Sequence, residues 1–185
     1  IEEIQGLRGR VAELERAEEI RKKAEEKIRF LASIVESSDD AIISKTLDGI
    51  ILSWNKGAEK IYGYSQDEVI GKSVSVLIPP DRQDEMIKIL EKIRNGEQVA
   101  HYETIRVRKD GGQMHVSLTV SPIKDEEGRI VGASTIGHDI TADVTLRLAR
   151  TYNRSLIEVS LDPLVTIGPD GKITDVNSAT EMVTG

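Results

Sequence analysis

Histidines are the residues of this sequence best suited to metal or phosphoryl chemistry, and their positions argue against both roles. His101 and His115 fall on two predicted strands that pair around Asp110-Gly111, which sets His115 near Arg106. Arg106 is five residues from His101, or about 17 Å along an extended strand. The two imidazoles therefore cannot share a metal ion, and the sequence predicts no metal site.

His138 precedes Asp139 in the histidine-acid order of a kinase phosphoacceptor, but the continuation ITADVT lacks the proline of that motif. His138 also falls at the predicted end of a strand. No glycine-rich nucleotide-binding motif follows in the remaining sequence. We therefore predict that these residues are not an enzyme and contain no catalytic residue.

The composition excludes several other classes of function. There is no cysteine, which removes disulfides, thiolate metal sites and cysteine nucleophiles. A formal net charge of −7 opposes binding to a phosphate backbone, so nucleic acid is not an expected partner. No apolar run approaches the ~20 residues that span a bilayer, and no segment has the basic–apolar–small pattern of a signal peptide. We expect a cytoplasmic segment without membrane contact, in a parent protein that could be membrane-associated.

The periodicity of the central region predicts an α+β domain with the order β-β-α-α-β-β-β. Two short strands at 41–44 and 50–53 flank the turn Asp48-Gly49, and three longer strands follow Gly96. A helix is predicted at 55–63, capped by Asn55 and ended by Gly63. A second helix is predicted at 81–96, with one apolar face formed by Met86, Ile87, Leu90 and Ile93. The alternation of the fourth strand places Met114, Val116, Leu118 and Val120 toward the core.

Helical spacing flanks this domain on both sides. Residues 1–33 are predicted to be an N-terminal linker helix with a coiled-coil-like stripe of Ile4, Leu7, Val11, Leu14, Ala24, Ile28 and Leu31. An exit helix is predicted at 142–158, with Val144, Leu148, Tyr152 and Leu156 in one row. An apolar stripe must be covered by its own domain or by a partner helix. We therefore expect a parallel homodimer through the linker helices, involving Leu14, Ile28, Leu31, Val144 and Leu148.

The end of the sequence repeats an earlier part of it. Residues 156–185 match residues 34–63 without a gap, at nine identical positions that include Asn55/Asn177 and Glu36/Glu158. Composition alone would give about two such identities. We therefore interpret residues 159–185 as the start of a second, truncated copy of the domain at 34–141, within a longer protein.

The motifs IVESSDDAII, DGIILSWNKGAEKIYGYS, EVIGKSV, ETIRVRKDG and HDIT, in this order over residues 34–141, resemble those of PAS domains from prokaryotic multi-domain sensors, such as sensor histidine kinases. The resemblance implies a five-stranded antiparallel sheet with short helices on one face and linker helices on either side. It also implies adjacent PAS and kinase domains as partners, and a sensory role in signal transduction.

The resemblance further implies a ligand pocket between the sheet and the helix at 81–95. The residues expected to border it are Trp54, Asn55, Met86, Leu90, Tyr102, Thr104, Val116, Leu118, Ala133 and Thr135. The alternative is that these residues only pack a core. A covalent FMN adduct needs a cysteine, and PAS domains that sense oxygen through haem have a histidine on the helix equivalent to 81–95. This sequence has neither, so neither cofactor is expected. Non-covalent FAD stays open because Trp54 and Asn55 sit where flavin-binding relatives use an aromatic and a polar side chain; the ligand, if any, is unknown.

The triplet Asp139-Ile140-Thr141 lies where the last strand becomes the exit helix. An Asp or Thr side chain can accept hydrogen bonds from the free N–H groups of a new helix, so either residue is a candidate cap. By resemblance, the triplet couples the sensor core to the output helix. We expect a change in the core to move the helix at 142–158 relative to its dimer mate.

Overall fold

A long helix leads into the domain. The computed structural model describes residues 2–184, with side chains described for residue 10 and residues 13–184. Helix α1 spans Glu2–Ser37. The side chains of Ile4, Leu7 and Val11 lie outside the described residues.

Five strands form one antiparallel sheet. They are β1 (Ala41–Lys45), β2 (Ile51–Trp54), β3 (Val99–Val107), β4 (Gln113–Lys124) and β5 (Ile130–Asp139). Their order across the sheet is β2-β1-β5-β4-β3. The central strand is β5, which pairs with β1 on one side and with β4 on the other. The predicted five-stranded antiparallel sheet is therefore confirmed. In the β3–β4 pairing, His115 lies opposite Ile105, one residue from the predicted partner Arg106.

Three short α-helices lie between β2 and β3, with two 3-10 helices between the second and the third: α2 (Lys56–Tyr62), α3 (Gln66–Val69) and α4 (Asp84–Arg94). Asn55 caps α2 and accepts a hydrogen bond from the Ala58 N–H, and Gly63 ends the helix in the left-handed region at φ 79°. Only glycine adopts that conformation without steric cost. Both predicted boundary signals of this helix are confirmed.

Helix α4 differs from its prediction in its start and in its buried face. Residues Pro80–Arg82 form a separate 3-10 turn, so the α-helix begins at Asp84 rather than at 81. Ile87 is 55% exposed, whereas Ile89, Leu90 and Ile93 are buried. Ile89 and Ile93 are four residues apart on the row that faces the sheet, and Ile87 lies about 200° around the helix from Ile89. The prediction that Ile87 belongs to the apolar face was wrong.

The core lies between the sheet and these helices. Met114, Val116, Leu118 and Val120 of β4 are each at most 4% exposed, which confirms the predicted orientation of this strand. They join one apolar cluster with residues of β1, β2 and the helices, among them Ile43, Ile51, Tyr62 and Ile93. One face of the sheet is thus covered by helices, as an α+β fold requires.

The chain divides into two compact units after Asp139. The second unit contains α5 (Thr141–Glu158), a two-stranded antiparallel hairpin of β6 (Val165–Ile167) and β7 (Ile173–Val176), and α6 (Ser178–Thr184). Among the described residues, no helix combines the length and the apolar character that crossing a bilayer would need.

Candidate functional site

A small cavity of about 30 Å³ lies inside the first unit, between the sheet and the helices. Its lining is mainly apolar, with four polar residues among it. The apolar residues are Ile43, Val74, Leu77, Ile78, Met86, Ile89, Leu90, Leu118 and Val120, and the polar ones are Lys45, Tyr62, Arg106 and Thr135. About 10–15 Å³ measured in this way holds one water molecule, so the cavity has room for roughly two groups of that size.

Lys45 at the end of β1 brings a positive charge into this apolar surrounding. Its side chain is oriented inward because residues 41, 43 and 45 of the strand share the buried face. The residue is 6% exposed, and its Nζ donates a hydrogen bond to Thr135 Oγ1 at 2.9 Å. Burial, together with the nearby charge of Arg106, lowers the pKa of Lys45 to about 8 from its ordinary value of 10.5. An ammonium group in an apolar core is destabilising unless an anion compensates it.

Arg106 on β3 is the second buried cation, and it has an anionic partner. Its Nη1 lies 2.9 Å from Glu85 Oε2 on α4, in an ion pair whose two side chains are 6% and 10% exposed. Thr104 Oγ1 donates to both carboxylate oxygens of Glu85, at 3.0 and 2.8 Å. Burial opposes ionisation of Glu85, but the hydrogen bonds from Arg106 and Thr104 outweigh it and hold the pKa of this carboxyl below its usual value.

Some of the predicted pocket residues line the cavity in the structure, and the others lie outside it. Met86, Leu90, Leu118 and Thr135 line the cavity. Val116 and Ala133 are fully buried core residues outside the lining, Thr104 is bonded to Glu85, and Tyr102 is 37% exposed beside a surface groove formed by α4 and β3. The sequence reasoning missed Lys45, Arg106 and Tyr62. Extending the alternation of AIIS by one residue would have placed Lys45 on the buried face.

Trp54 and Asn55 do not face the cavity. Trp54 is 3% exposed, and its Nε1 donates to the Tyr64 carbonyl oxygen at 3.1 Å while its ring packs 5.5 Å from that of Tyr62. The cavity is about 30 Å³, whereas pockets for drug-sized ligands are typically about 300–1,000 Å³. The residues present therefore do not fit a flavin, and the FAD alternative gains no support from the core.

Asn55 instead joins three elements through its side-chain amide. Oδ1 accepts hydrogen bonds from the N–H of Ile42 at 2.8 Å and of Ala58 at 2.9 Å. Nδ2 donates to the carbonyl oxygens of Val35 at 2.8 Å and of Asp40 at 3.0 Å. Val35 lies in the last turn of α1, Ile42 is in β1, and Ala58 is in the first turn of α2. We call these four bonds the Asn55 network; it attaches the end of the linker helix to the sheet.

The same four bonds recur 122 residues later in the second unit. Asn177 Oδ1 accepts from the N–H of Leu164 at 2.9 Å and of Thr180 at 3.1 Å. Its Nδ2 donates to the carbonyl oxygens of Ile157 at 3.1 Å and of Asp162 at 2.9 Å. Glu36 and Glu158 each accept a backbone N–H bond at 3.2 Å, from Lys56 and Ser178. The end of α5 is thus attached to the hairpin and helix that follow it in the same way as the end of α1 is attached to β1 and α2.

At the start of α5, the structure identifies the capping position. The N-cap position is occupied by Ile140, whose side chain has no hydrogen-bond acceptor, and Thr141 is the first helical residue. The two candidate caps, Asp139 and Thr141, lie directly before and after this position. Asp139 is the last residue of β5, and its Oδ2 accepts a hydrogen bond from Arg108 Nη2 at 2.8 Å. Its carboxylate therefore ties the end of β5 to the residue that follows β3.

The predicted linker residues differ in exposure. Leu14, Ile28 and Leu31 of α1 are 69%, 66% and 53% exposed. On α5, Leu148 is 62% exposed, and Tyr152 and Leu156 on the same row are also exposed. Val144 is only 8% exposed, so it does not belong to the exposed row that was predicted to include it. An apolar row open to solvent is costly on an isolated helix.

A family model described as PAS domain matches residues 39–142, which is more than half of the chain. The crystal structure of the PAS domain of a protein from Colwellia psychrerythraea is similar to this chain with a TM-score of 0.58 and 31% sequence identity. The similarity covers 62% of this chain and 98% of that one.

Two curated proteins are similar to the chain over short parts of their own length. Phytochrome C of Arabidopsis thaliana is 24% identical over 170 residues, which are 85% of this chain and 15% of that protein. The signal transduction histidine-protein kinase AtoS of Escherichia coli (strain K12) is 28% identical over 109 residues, which are 59% of this chain and 17% of the kinase. The chain therefore spans only about one sixth of the length of these relatives.

Proposed function

This chain belongs to the PAS domain family, and we propose that it is a non-catalytic relay module, which passes a change in its sheet core through linker helices to an output domain of a longer protein. The observation that carries the proposal is the Asn55 network. Because one side chain bonds α1, β1 and α2 together, the end of the linker helix has to follow the first strand. A histidine kinase domain is the output we propose, since the chain is similar to part of a signal transduction histidine kinase.

The output side of the relay begins at the end of β5. Arg108 and Asp139 join the strand end to the chain segment after β3, and α5 starts two residues later. A displacement of β5 would change where this helix begins. The recurrence of the same bonds around Asn177 supports the further proposal that residues 159–185 begin a second PAS domain, with α5 as the helix between the two domains.

We also propose that the linker helices pair in a parallel homodimer. The rows that contain Ile28 and Leu31 on α1 and Leu148 and Tyr152 on α5 are exposed on the single chain. A second copy of the same helix offers a matching row, and pairing of identical helices side by side transmits a rotation or shift along their common axis.

Sedimentation equilibrium tests this pairing. Leu148→Glu places a carboxylate in the exposed row of α5, and we expect it to weaken dimerisation at least about tenfold, because charge at a helix-helix contact is strongly unfavourable. Arg150→Gln is the matched control, since it changes the net charge by the same amount on the opposite side of α5 and should leave the dimer unchanged. A wild-type chain that sediments as a monomer at all concentrations would refute the dimeric relay.

A ligand-sensing role is the second candidate function. The observation that favours it is the polar lining inside the core, where Lys45, Arg106 and Thr135 border a cavity within an otherwise apolar cluster. A domain that only relays force has no need of an uncompensated buried lysine.

A further inference from the structure

The charges around the core cavity do not balance. Lys45 and Arg106 both line the cavity, and its lining contains no Asp or Glu among the described residues. Glu85 is the carboxylate that pairs with Arg106, and it is shared with Arg82 at 3.1 Å. Lys45 has a hydroxyl, Thr135, as its hydrogen-bond partner. The core therefore carries one positive charge more than its carboxylate can compensate.

Hydrogen-bond donors are also left over. A lysine ammonium has three N–H donors and an arginine guanidinium has five. Lys45 donates to Thr135 alone within the described chain, and the hydrogen bonds that Arg106 makes there all use Nη1. Tyr62 adds a phenol to the same lining, and burial raises its pKa to about 12, so it is neutral at physiological pH. Every ionised group of the lining is thus a cation.

We propose that the cavity binds a small monocarboxylate of about the size of formate or acetate, with one carboxylate oxygen toward Lys45 and the other toward Arg106. A carboxylate has two acceptor oxygens and one negative charge, which matches two cationic donors and one unbalanced charge. A cavity of about 30 Å³ admits roughly two water-sized groups, which is the scale of a carboxylate head.

The apolar lining selects the rest of the ligand. Met86, Leu90 and Ile78 line the same cavity and offer no hydrogen-bond donor to further hydroxyl or phosphate oxygens. Multivalent, strongly hydrated anions would lose their hydration without replacement. Methionine is flexible and adapts to irregular shapes, so Met86 is the residue we expect to move to admit a methyl group.

A small carboxylate is thus the ligand class of the proposed sensor. Its binding to the cavity does not depend on the proposed relay; only the transmission of the signal to an output domain rests on the proposed function. Thermal unfolding of the complete chain tests binding alone. The unfolding is followed by the fluorescence of Trp54, the single tryptophan, and is compared between sodium acetate and sodium chloride of equal ionic strength. A ligand that binds only the folded state raises the midpoint, here by about 3 °C when acetate is present at several times its Kd. Dimerisation is measured separately, so a failed relay and a failed ligand site give different results.

Two variants decide the outcome. Lys45→Met removes the charge but keeps an unbranched side chain that is only one atom shorter, and should abolish the acetate shift. Lys72→Met removes one charge from an exposed position and should retain it. The proposal would be overturned if acetate did not raise the unfolding midpoint of the wild type, or if it raised that of Lys45→Met equally. It would also be overturned if chloride raised the wild-type midpoint as much as acetate does, because the site would then take any small anion rather than a carboxylate.

Discussion

Replacement of Asn55 by alanine is expected to lower the free energy of unfolding of the first unit by about 3 kcal/mol. The substitution removes the N-cap of α2, typically worth about 1 kcal/mol. It also deprives the Ile42 N–H and the carbonyl oxygens of Val35 and Asp40 of a partner in or near the core. A buried polar group without a partner costs about 1–3 kcal/mol.

Urea unfolding monitored by Trp54 fluorescence measures this change, because Trp54 is 3% exposed and is the single tryptophan of the chain. Asn177→Ala is the matched control, since it removes the same four bonds in the second unit. The control should leave the Trp54 transition within about 0.5 kcal/mol of the wild type, because Asn177 belongs to the other compact unit and shares no hydrogen-bond partner with Asn55. A loss well below 1 kcal/mol for Asn55→Ala would show that the network does not hold the helix to the sheet.

Replacement of Lys45 by methionine is expected to have the opposite effect and to stabilise the first unit. A pKa lowered from 10.5 to about 8 means that the folded state binds the proton less tightly than the unfolded state does. At pH 7 both states are protonated, and the buried charge then costs the folded state about 3 kcal/mol at 1.36 kcal/mol per pKa unit. The loss of the hydrogen bond to Thr135 offsets about 1 kcal/mol of this gain.

The sign of the pH dependence provides a second, independent readout. Between about pH 8 and pH 10.5 the unfolded state holds a proton on Lys45 that the folded state has released, so the wild type should become more stable as the pH rises in this range. Lys45→Met should lack this increase. Both pH 7 and pH 9.5 lie below the unfolded pKa of tyrosine, near 10, which limits the contribution of Tyr62 to the difference.

Lys72→Met serves again as the exposed control and should change stability by less than about 0.5 kcal/mol. If Lys45→Met were less stable than the wild type at pH 7, the buried ammonium of Lys45 would increase the free energy of unfolding instead of decreasing it. The same result would also weaken the case for an anion site, because an uncompensated charge is its premise.

Local signals in the sequence were sufficient for most of the fold. The alternation in β4 and the Asn55 and Gly63 boundaries of α2 depend on neighbouring residues only, and the structure confirms them. The five-stranded antiparallel sheet was implied by the resemblance to PAS domains, and the structure confirms it. Ile87 was misplaced because a short helix with several isoleucines permits two overlapping apolar rows, and only packing against the sheet selects the one with Ile89.

The candidate site was harder to predict for a physical reason. Lysine and arginine are rarely buried, so Lys45 and Arg106 were not assigned to the core although both occupy inward positions of their strands. Their burial depends on groups from other strands and helices, namely Thr135 and Glu85, which the sequence does not place nearby. The capping position at Ile140 likewise depends on where β5 ends, which a pattern of single residues does not fix.

The most direct test of the relay is a distance measurement between the two exit helices of the dimer. Because the sequence has no cysteine, Arg150→Cys provides a single labelling site for electron spin resonance. We predict one narrow distribution of distances between the two spin labels, consistent with paired helix axes about 10 Å apart. When Lys45→Met is added to the labelled chain and alters the core, we predict that this distribution is displaced. The absence of a dipolar signal between chains would contradict the account. An identical distance distribution with and without Lys45→Met would contradict it as well.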